Sequence, residues 1–132
     1  MSIWGRKVSR KVVAAVVALM VIAALLPVMT SSVDREITLV ARGMAFYLDG
    51  DSIPNPTITV TAGETVRVVL KNQDRGMTHD FAVPAIDAGM RLVNWNEEDA
   101  VTFDVPSTPG TYEYFCNPHR LMMSGTIKVV TE

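Results

Sequence analysis

The sequence is poor in the residues that cross-link small exported proteins. Its 132 residues include one cysteine, Cys116, and two histidines, His79 and His119. A single cysteine excludes an internal disulfide and a cysteine-rich zinc site. After residue 30 the chain also lacks internal repeats, low-complexity tracts and any helical apolar period sustained over three turns. These absences favour one domain that is not built from helices.

The N-terminal segment differs from the rest of the chain. An uncharged run of 18 residues, Val12–Met29, follows four cations at Arg6, Lys7, Arg10 and Lys11. The run just reaches the ~17–25 residues of a transmembrane helix, and no A-x-A cleavage pattern follows it. We therefore expect a hydrophobic helix that anchors the chain in a membrane through residues 12–29. A cleaved signal peptide, which would release a secreted soluble protein, is the alternative.

Either interpretation divides the chain into an N-terminal segment, residues 1–32, and an exported domain, residues 33–132. The basic flank stays inside, so the domain is expected outside the cytoplasm, in a periplasm or at a cell surface. Without the four N-terminal cations, eight basic residues remain against 14 acidic ones, a net charge of −6. Such a domain is a poor nucleic-acid binder but suits a protein partner with a basic face. We expect it to be a monomer.

Short β segments separated by turn residues follow residue 34. The strand candidates are residues 36–42, 57–60, 65–71, 79–83, 100–105, 111–116 and 126–130. Residues 48–56 and 61–64 are predicted to be turns, and residues 85–99 a long crossover loop or a short helix. Seven or eight strands at this spacing predict an all-β fold, an antiparallel Greek-key β-sandwich that follows the N-terminal hydrophobic helix.

The chemistry of the chain is concentrated around its cysteine. Cys116 and His119 form a Cys-x-x-His pair at a strand end, and Met122 and Met123 follow. His79 lies 37 residues upstream, at the start of another predicted strand, and a sandwich can bring such strand ends together. Two imidazoles, a thiolate and a thioether form a soft mixed donor set that suits copper in both oxidation states. Zinc fits less well, because a methionine is a poor fourth ligand.

Taken singly, these residues have ordinary explanations. A lone buried cysteine is usually structural, a lone histidine usually belongs to the core or the surface, and Met122 and Met123 would usually pack. A Cys–His nucleophile is a competing chemical interpretation, but the sequence offers no evident orienting group or oxyanion hole. The combination of the only cysteine, both histidines and a methionine pair favours a metal site.

The ligand segment and its surroundings resemble the cupredoxins, the small blue copper proteins. Residues 109–119, PGTYEYFCNPH, are similar to the plastocyanin and amicyanin pattern that ends in Cys-x-Pro-His. Residues 123–129 resemble the last cupredoxin strand, which the axial methionine opens, and residues 55–81 resemble the stretch that leads to the first histidine ligand. The resemblance covers residues 36–131. Residues 76–85 are also similar to the copper domain of cytochrome oxidase subunit II, but one cysteine cannot build that domain's two-copper centre.

The resemblance implies a cupredoxin β-sandwich with one type 1 (blue) copper ion, cycling between Cu(I) and Cu(II), that carries single electrons and is not an enzyme. It implies the ligands His79, Cys116, His119 and an axial methionine. Counting from the cysteine favours Met122, whereas counting back from the last strand favours Met123, which we prefer because a register slip would turn that strand's side chains to the wrong face.

Two residues depart from the family pattern. Asp80 follows the first histidine where an Asn or Ser is common, and we expect its carboxylate to accept hydrogen bonds from Asn117. Phe115 replaces the tyrosine through which plastocyanin passes electrons, which leaves an exit through His119. In the family, redox partners dock around this histidine, and here Pro118, Leu121 and one methionine could form that patch, with Arg120 at its rim.

Two other functions remain open at this point. A copper-binding or copper-delivery module would want an open, methionine-rich Cu(I) site, for which Met44, Met77 and Met90 are available. A small copper enzyme would need an open coordination position, and the methionine pair argues against it.

Overall fold

The described part of the N-terminal unit, residues 9–24, is a helix preceded by Ser9. The computed structural model describes residues 9–24 and 32–132, which belong to two separate units. Helix α1 (Arg10–Ala24) begins after Ser9, whose hydroxyl accepts a hydrogen bond from the Lys11 amide. The predicted membrane span continues to residues 25–29, which lie outside the described residues. Within the two described ranges, no helix is both long and apolar enough to cross a bilayer.

Nine strands form the second unit, residues 32–132. They are β1 (Arg35–Arg42), β2 (Ala45–Leu48), β3 (Thr57–Thr61), β4 (Thr65–Asn72), β5 (Ala82–Val83), β6 (Ala88–Gly89), β7 (Glu98–Asp104), β8 (Gly110–Phe115) and β9 (Ser124–Val130). One sheet has the order β2-β1-β4-β7 and the other the order β3-β9-β8-β5-β6. The two sheets enclose the core, so the expected β-sandwich is confirmed.

The sheets are mixed, and the purely antiparallel arrangement expected from the sequence is wrong. Strand β1 pairs parallel with β4, and β3 pairs parallel with β9, while the other pairs are antiparallel. Parallel neighbours need a long connection between them. The chain provides it by passing through β2 and β3 before it returns as β4, and through most of the domain between β3 and β9.

The core follows the predicted alternation of side chains. Ile37, Leu39 and Ala41 on β1, and Val66 and Leu70 on β4, are buried as their period of two requires. The four-residue strand β2 was not predicted, because it is too short to show an alternation. An aromatic cluster of Phe46, Phe81 and Tyr114 fills the centre, with ring centroids 5.3–6.2 Å apart.

The segment around the first histidine is more irregular than predicted. Of the expected strand 79–83, only Ala82–Val83 is a strand, and His79 forms an isolated bridge with Val93. Residues 85–99, predicted as a loop or a short helix, contain the end of a single 3-10 turn, Pro84–Ile86, and the short strand β6. This bridge fixes the backbone of His79 outside a continuous strand, at the end of the sandwich where β8 also finishes.

Candidate metal centre

Two loops at one end of the sandwich bring three donor residues together. His79 is held by paired backbone hydrogen bonds to Val93, of 3.1 and 2.7 Å. Cys116 follows β8 directly, and His119 ends a 3-10 turn. The loop is closed by two hydrogen bonds, from the Cys116 amide to the Met123 carbonyl at 3.0 Å and from the Met123 amide to the His119 carbonyl at 2.8 Å.

The three side chains point at one another with spacings that fit a metal ion. The Cys116 Sγ atom lies 3.7 Å from His79 Nδ1 and 3.5 Å from His119 Nδ1, and the three ligand atoms lie within 4.8 Å of one another. Nitrogen and sulfur donors held about 2.0 and 2.3 Å from one ion at tetrahedral to trigonal angles are about 3.5–3.7 Å apart. The donor set therefore fits a single ion with little rearrangement.

The two candidate methionines lie in different environments. Met123 is fully buried and belongs to the same core cluster as Cys116, whereas Met122 is 58% exposed. The Met122 carbonyl accepts a hydrogen bond from Asn55 Nδ2 at 3.0 Å. This burial favours Met123 as the sulfur that faces the donor set.

The predicted tie between the two ligand loops is present. Asp80 Oδ1 accepts a hydrogen bond from the Asn117 amide at 2.7 Å, and Asp80 Oδ2 accepts one from Asn117 Nδ2 at 2.8 Å. The expectation that a carboxylate can replace the family's Asn or Ser is confirmed. The two bonds hold the residues next to His79 and Cys116 together, so the donors are fixed by their neighbours as well as by the sandwich.

Two further residues organise the first loop, and the sequence reasoning missed both as site residues. Asn72, which is buried, donates from Nδ2 to the carbonyls of Met77 and Val93 at 2.8 and 2.9 Å. Asp74 Oδ2 lies 2.9 Å from His79 Nε2, on the side of the ring opposite Cys116. A carboxylate in the loop before a histidine ligand was the available signal, since such histidines usually donate their second N–H to an acceptor.

The environment keeps the buried donors uncharged in the absence of a metal. Burial raises the pKa of the Cys116 thiol, so the proton must leave when a metal binds. Burial also lowers the pKa of His79 below its usual range, although the Asp74 carboxylate opposes the shift. Burial by itself would raise the pKa of Asp74. Hydrogen bonds from the Met44 and Gly43 amides and from His79 have the larger combined effect, so the pKa lies below its usual value.

His119 is the donor that reaches the surface. It is half-buried, whereas His79 and Cys116 are fully buried. It lines an open depression of about 420 Å³ with Met44, Asn117, Pro118, Arg120, Leu121 and Met122. The three methionines considered for an open Cu(I) site are not gathered there: Met44 lines this depression, Met77 lines another, and Met90 packs against the core.

A β-sandwich that brings together a buried Cys and His, a half-buried His and a buried Met defines a small metalloprotein with a mixed nitrogen and sulfur donor set. The chain belongs to the copper-binding proteins of the plastocyanin/azurin family, whose model matches residues 53–130. Its cofactor is copper, and His79, Cys116, His119 and Met123 are positioned to bind one ion.

Known proteins agree with this family. Plastocyanin of Dryopteris crassirhizoma is 33% identical over 97 aligned residues, which cover 61% of this chain and 94% of that protein. Auracyanin A, a "blue" copper protein of Chloroflexus aurantiacus, superposes with a TM-score of 0.59 at 26% identity, covering 72% of this chain and 98% of its own. Auracyanin B superposes with a TM-score of 0.63 at 21% identity, covering 77% and 93%, and supports the fold.

Proposed function

We propose that this protein is a type 1 copper protein that carries single electrons and catalyses no reaction of its own. The observation that carries the proposal is the position of Cys116 Sγ, 3.7 and 3.5 Å from the two histidine Nδ1 atoms. Bound copper supplies a one-electron couple there, because thiolate and thioether favour Cu(I) while imidazoles accept Cu(II). Membership of the plastocyanin/azurin family supports the same function.

Each donor has a separate role in this proposal. Cys116 would provide the strong thiolate ligand, and His79 and His119 would add two imidazoles to the donor set. Met123 would supply a weak thioether sulfur as the fourth donor, which argues against an open position for a substrate. The Asp80–Asn117 tie and the Asn72 hydrogen bonds hold both loops in one arrangement, so a change of oxidation state needs little movement of the protein.

The function is tested by titrating the metal-free full chain with copper while the optical and EPR spectra are recorded. We expect one ion per chain, an intense visible band in the oxidised protein and its reversible loss on one-electron reduction. A colourless protein that binds Cu(I) and releases it to a chelator would instead support copper delivery.

If Met123 is the copper ligand, replacing Met123 and replacing Met122 should have different effects on the copper site. Met123→Leu removes a buried sulfur from the donor set and should raise the reduction potential and change the EPR parallel hyperfine splitting. Met122→Leu is the matched control, because it makes the same replacement at an exposed side chain and should leave both quantities nearly unchanged. If the two variants behave in the opposite way, Met122 is the axial ligand.

The depression around His119 is the surface that we propose for the redox partner. His119 is the half-buried donor, and Leu121 is fully exposed beside it. Arg120 lies at the edge of this surface, where it forms an ion pair with Glu113 at 2.8 Å. Its guanidinium carbon lies 4.2 Å from the Phe115 ring centroid. An apolar surface whose rim cation is already ion-paired allows close approach to His119 without burying an unpaired charge.

We also propose that residues 33–132 form an extracytoplasmic copper domain held at a membrane by residues 12–29. The uncharged run after four cations supports this, as do the exposed valines Val12, Val13, Val16 and Val17 on α1. The native protein should sediment with membranes, resist extraction by salt and dissolve in detergent. A mature N-terminus near residues 31–33 in a soluble fraction would identify a cleaved signal peptide instead.

A further inference from the structure

Asp74 makes a contact that places a negative charge directly behind a copper ligand. His79 is fully buried, and its two ring nitrogens face different partners: Nδ1 faces Cys116 Sγ, and Nε2 lies 2.9 Å from Asp74 Oδ2. An ionised carboxylate only accepts hydrogen bonds, so Nε2 must carry the ring proton. The Nδ1 lone pair is then directed toward the donor set before any metal binds.

The carboxylate is itself fixed in place from several sides. Its Oδ1 accepts a hydrogen bond from the Gly43 amide at 2.6 Å, and its Oδ2 accepts one from the Met44 amide at 3.1 Å. The Asp74 amide donates to Asn72 Oδ1 at 2.8 Å, and the side chain is only 15% exposed. A charge that is held this firmly and is only partly exposed acts on its neighbour with less screening than a charge on the open surface.

The Asp74 contact also joins the buried ligand to the surface. Gly43 and Met44, with φ of 55° and 59°, form the tight turn between β1 and β2. Two positive φ values are the conformation that a two-residue hairpin turn needs, and Met44 adopts it despite its side chain. Met44 also lines the depression around His119. One carboxylate therefore fixes both the tautomer of His79 and the turn that borders the exposed histidine.

We propose that Asp74 is a positioning residue that fixes His79 as its Nε2–H tautomer and lowers the reduction potential of the copper site. This rests on the proposed function, because a potential exists only with copper bound. A hydrogen bond to an ionised acceptor is stronger than one to a neutral acceptor, and it makes the imidazole a better donor to the more positive ion. The carboxylate therefore favours Cu(II).

The first test needs neither a variant nor copper. Long-range 1H–15N correlation spectra of the full metal-free chain should show His79 with its proton on Nε2. A His79 ring that is protonated only on Nδ1 in the metal-free chain would overturn the proposal. A chain that fails to give a type 1 copper spectrum but shows the Nε2–H tautomer would refute the proposed function and leave the tautomer assignment standing.

The second test measures the potential of copper-loaded variants. Asp74→Asn removes the charge and keeps the size, and we expect the Cu(II)/Cu(I) ratio at a fixed mediator potential to fall about tenfold, equivalent to ~59 mV for one electron. Asp74→Glu restores the charge and should move the potential back toward that of the wild type. An unchanged potential in Asp74→Asn would overturn the proposal.

Asp34→Asn is the matched control. Asp34 also accepts a backbone hydrogen bond, from the Thr65 amide at 2.8 Å, so this variant loses the same charge and the same kind of contact. It lies at the opposite end of the eight-residue strand β1, about 30 Å from the Asp74 contact with the β1–β2 turn. Its potential should match that of the wild type. An equal shift in both variants would assign the effect to net charge and overturn the specific role of Asp74.

Discussion

Cys116→Ser should abolish the visible colour of the copper-loaded protein. Cys116 supplies the only thiol in the sequence, and its Sγ lies 3.7 and 3.5 Å from the two histidine Nδ1 atoms. A serine hydroxyl is a hard donor that stays uncharged at neutral pH. We therefore expect the variant to lose both the thiolate-to-copper charge-transfer band and tight Cu(I) binding. Removing a residue that only hydrogen-bonds to a metal ligand typically costs 10–100-fold in metal affinity. Removing the ligand Cys116 itself should therefore weaken copper binding by more than about a hundredfold.

The measurement is a copper titration of wild type and variant, followed by optical and EPR spectroscopy. Circular dichroism of the metal-free proteins provides the control, because serine is close to cysteine in size and the sandwich should remain folded. An intense visible band in the Cys116→Ser protein would show that the thiolate is not the source of the colour, and the ligand assignment would be wrong.

Gly125→Ala should be among the most destabilising single-methyl additions in the domain. Gly125 faces Tyr114 across the β8–β9 pair, and an added Cβ would overlap with both Cζ and Oη of that ring. The ring cannot move aside easily, because it is buried against Phe46 and Phe81 and its hydroxyl donates to the Pro56 carbonyl at 2.7 Å. Burial also raises the pKa of Tyr114, so the hydroxyl keeps its proton.

We expect Gly125→Ala to lower the free energy of unfolding by about 3 kcal/mol. For a domain of this size that corresponds to a fall in Tm of roughly 15 °C, measured by thermal denaturation of the metal-free protein. Gly50→Ala is the matched control: Gly50 has φ of 82° and nothing within 4 Å of an added Cβ. It should cost only the ~1–2 kcal/mol of a left-handed backbone. Equal losses in the two variants would mean that the Tyr114 contact is not the cause.

Side-chain alternation in the sequence predicted which strand faces are buried, but not which strands pair with one another. The alternation on β1 and β4 identified their buried faces, because a period of two follows from strand geometry alone. The parallel pairing of β1 with β4 could not be predicted in this way, since it depends on which strands meet after a long connection. The same limit applies to His79, whose bridge to Val93 joins residues 14 apart in an irregular segment.

The sequence predicted the donor residues of the candidate site but only some of the residues that surround them. His79, Cys116 and His119 stand out because they are the only residues of their kinds in the chain. Asp74 is one of 14 acidic residues, and its place in the loop before His79 is a signal that the sequence prediction did not use. The choice between Met122 and Met123 rested on strand register, and burial of the Met123 side chain supports that choice.

The parallel pair of β3 and β9 has a consequence for the order in which the domain is assembled. Residues 57–61 find their partners only at residues 126–130, so the second sheet stays incomplete until the chain has been synthesised past residue 130. Contacts this distant in sequence slow folding, because a large loop must close before they form. Strand β9 lies between β3 and β8, and Met123 immediately precedes it. We therefore expect the copper donors to come together only late in folding, so that a nascent chain that has not yet reached residue 130 has no finished site with which to capture copper.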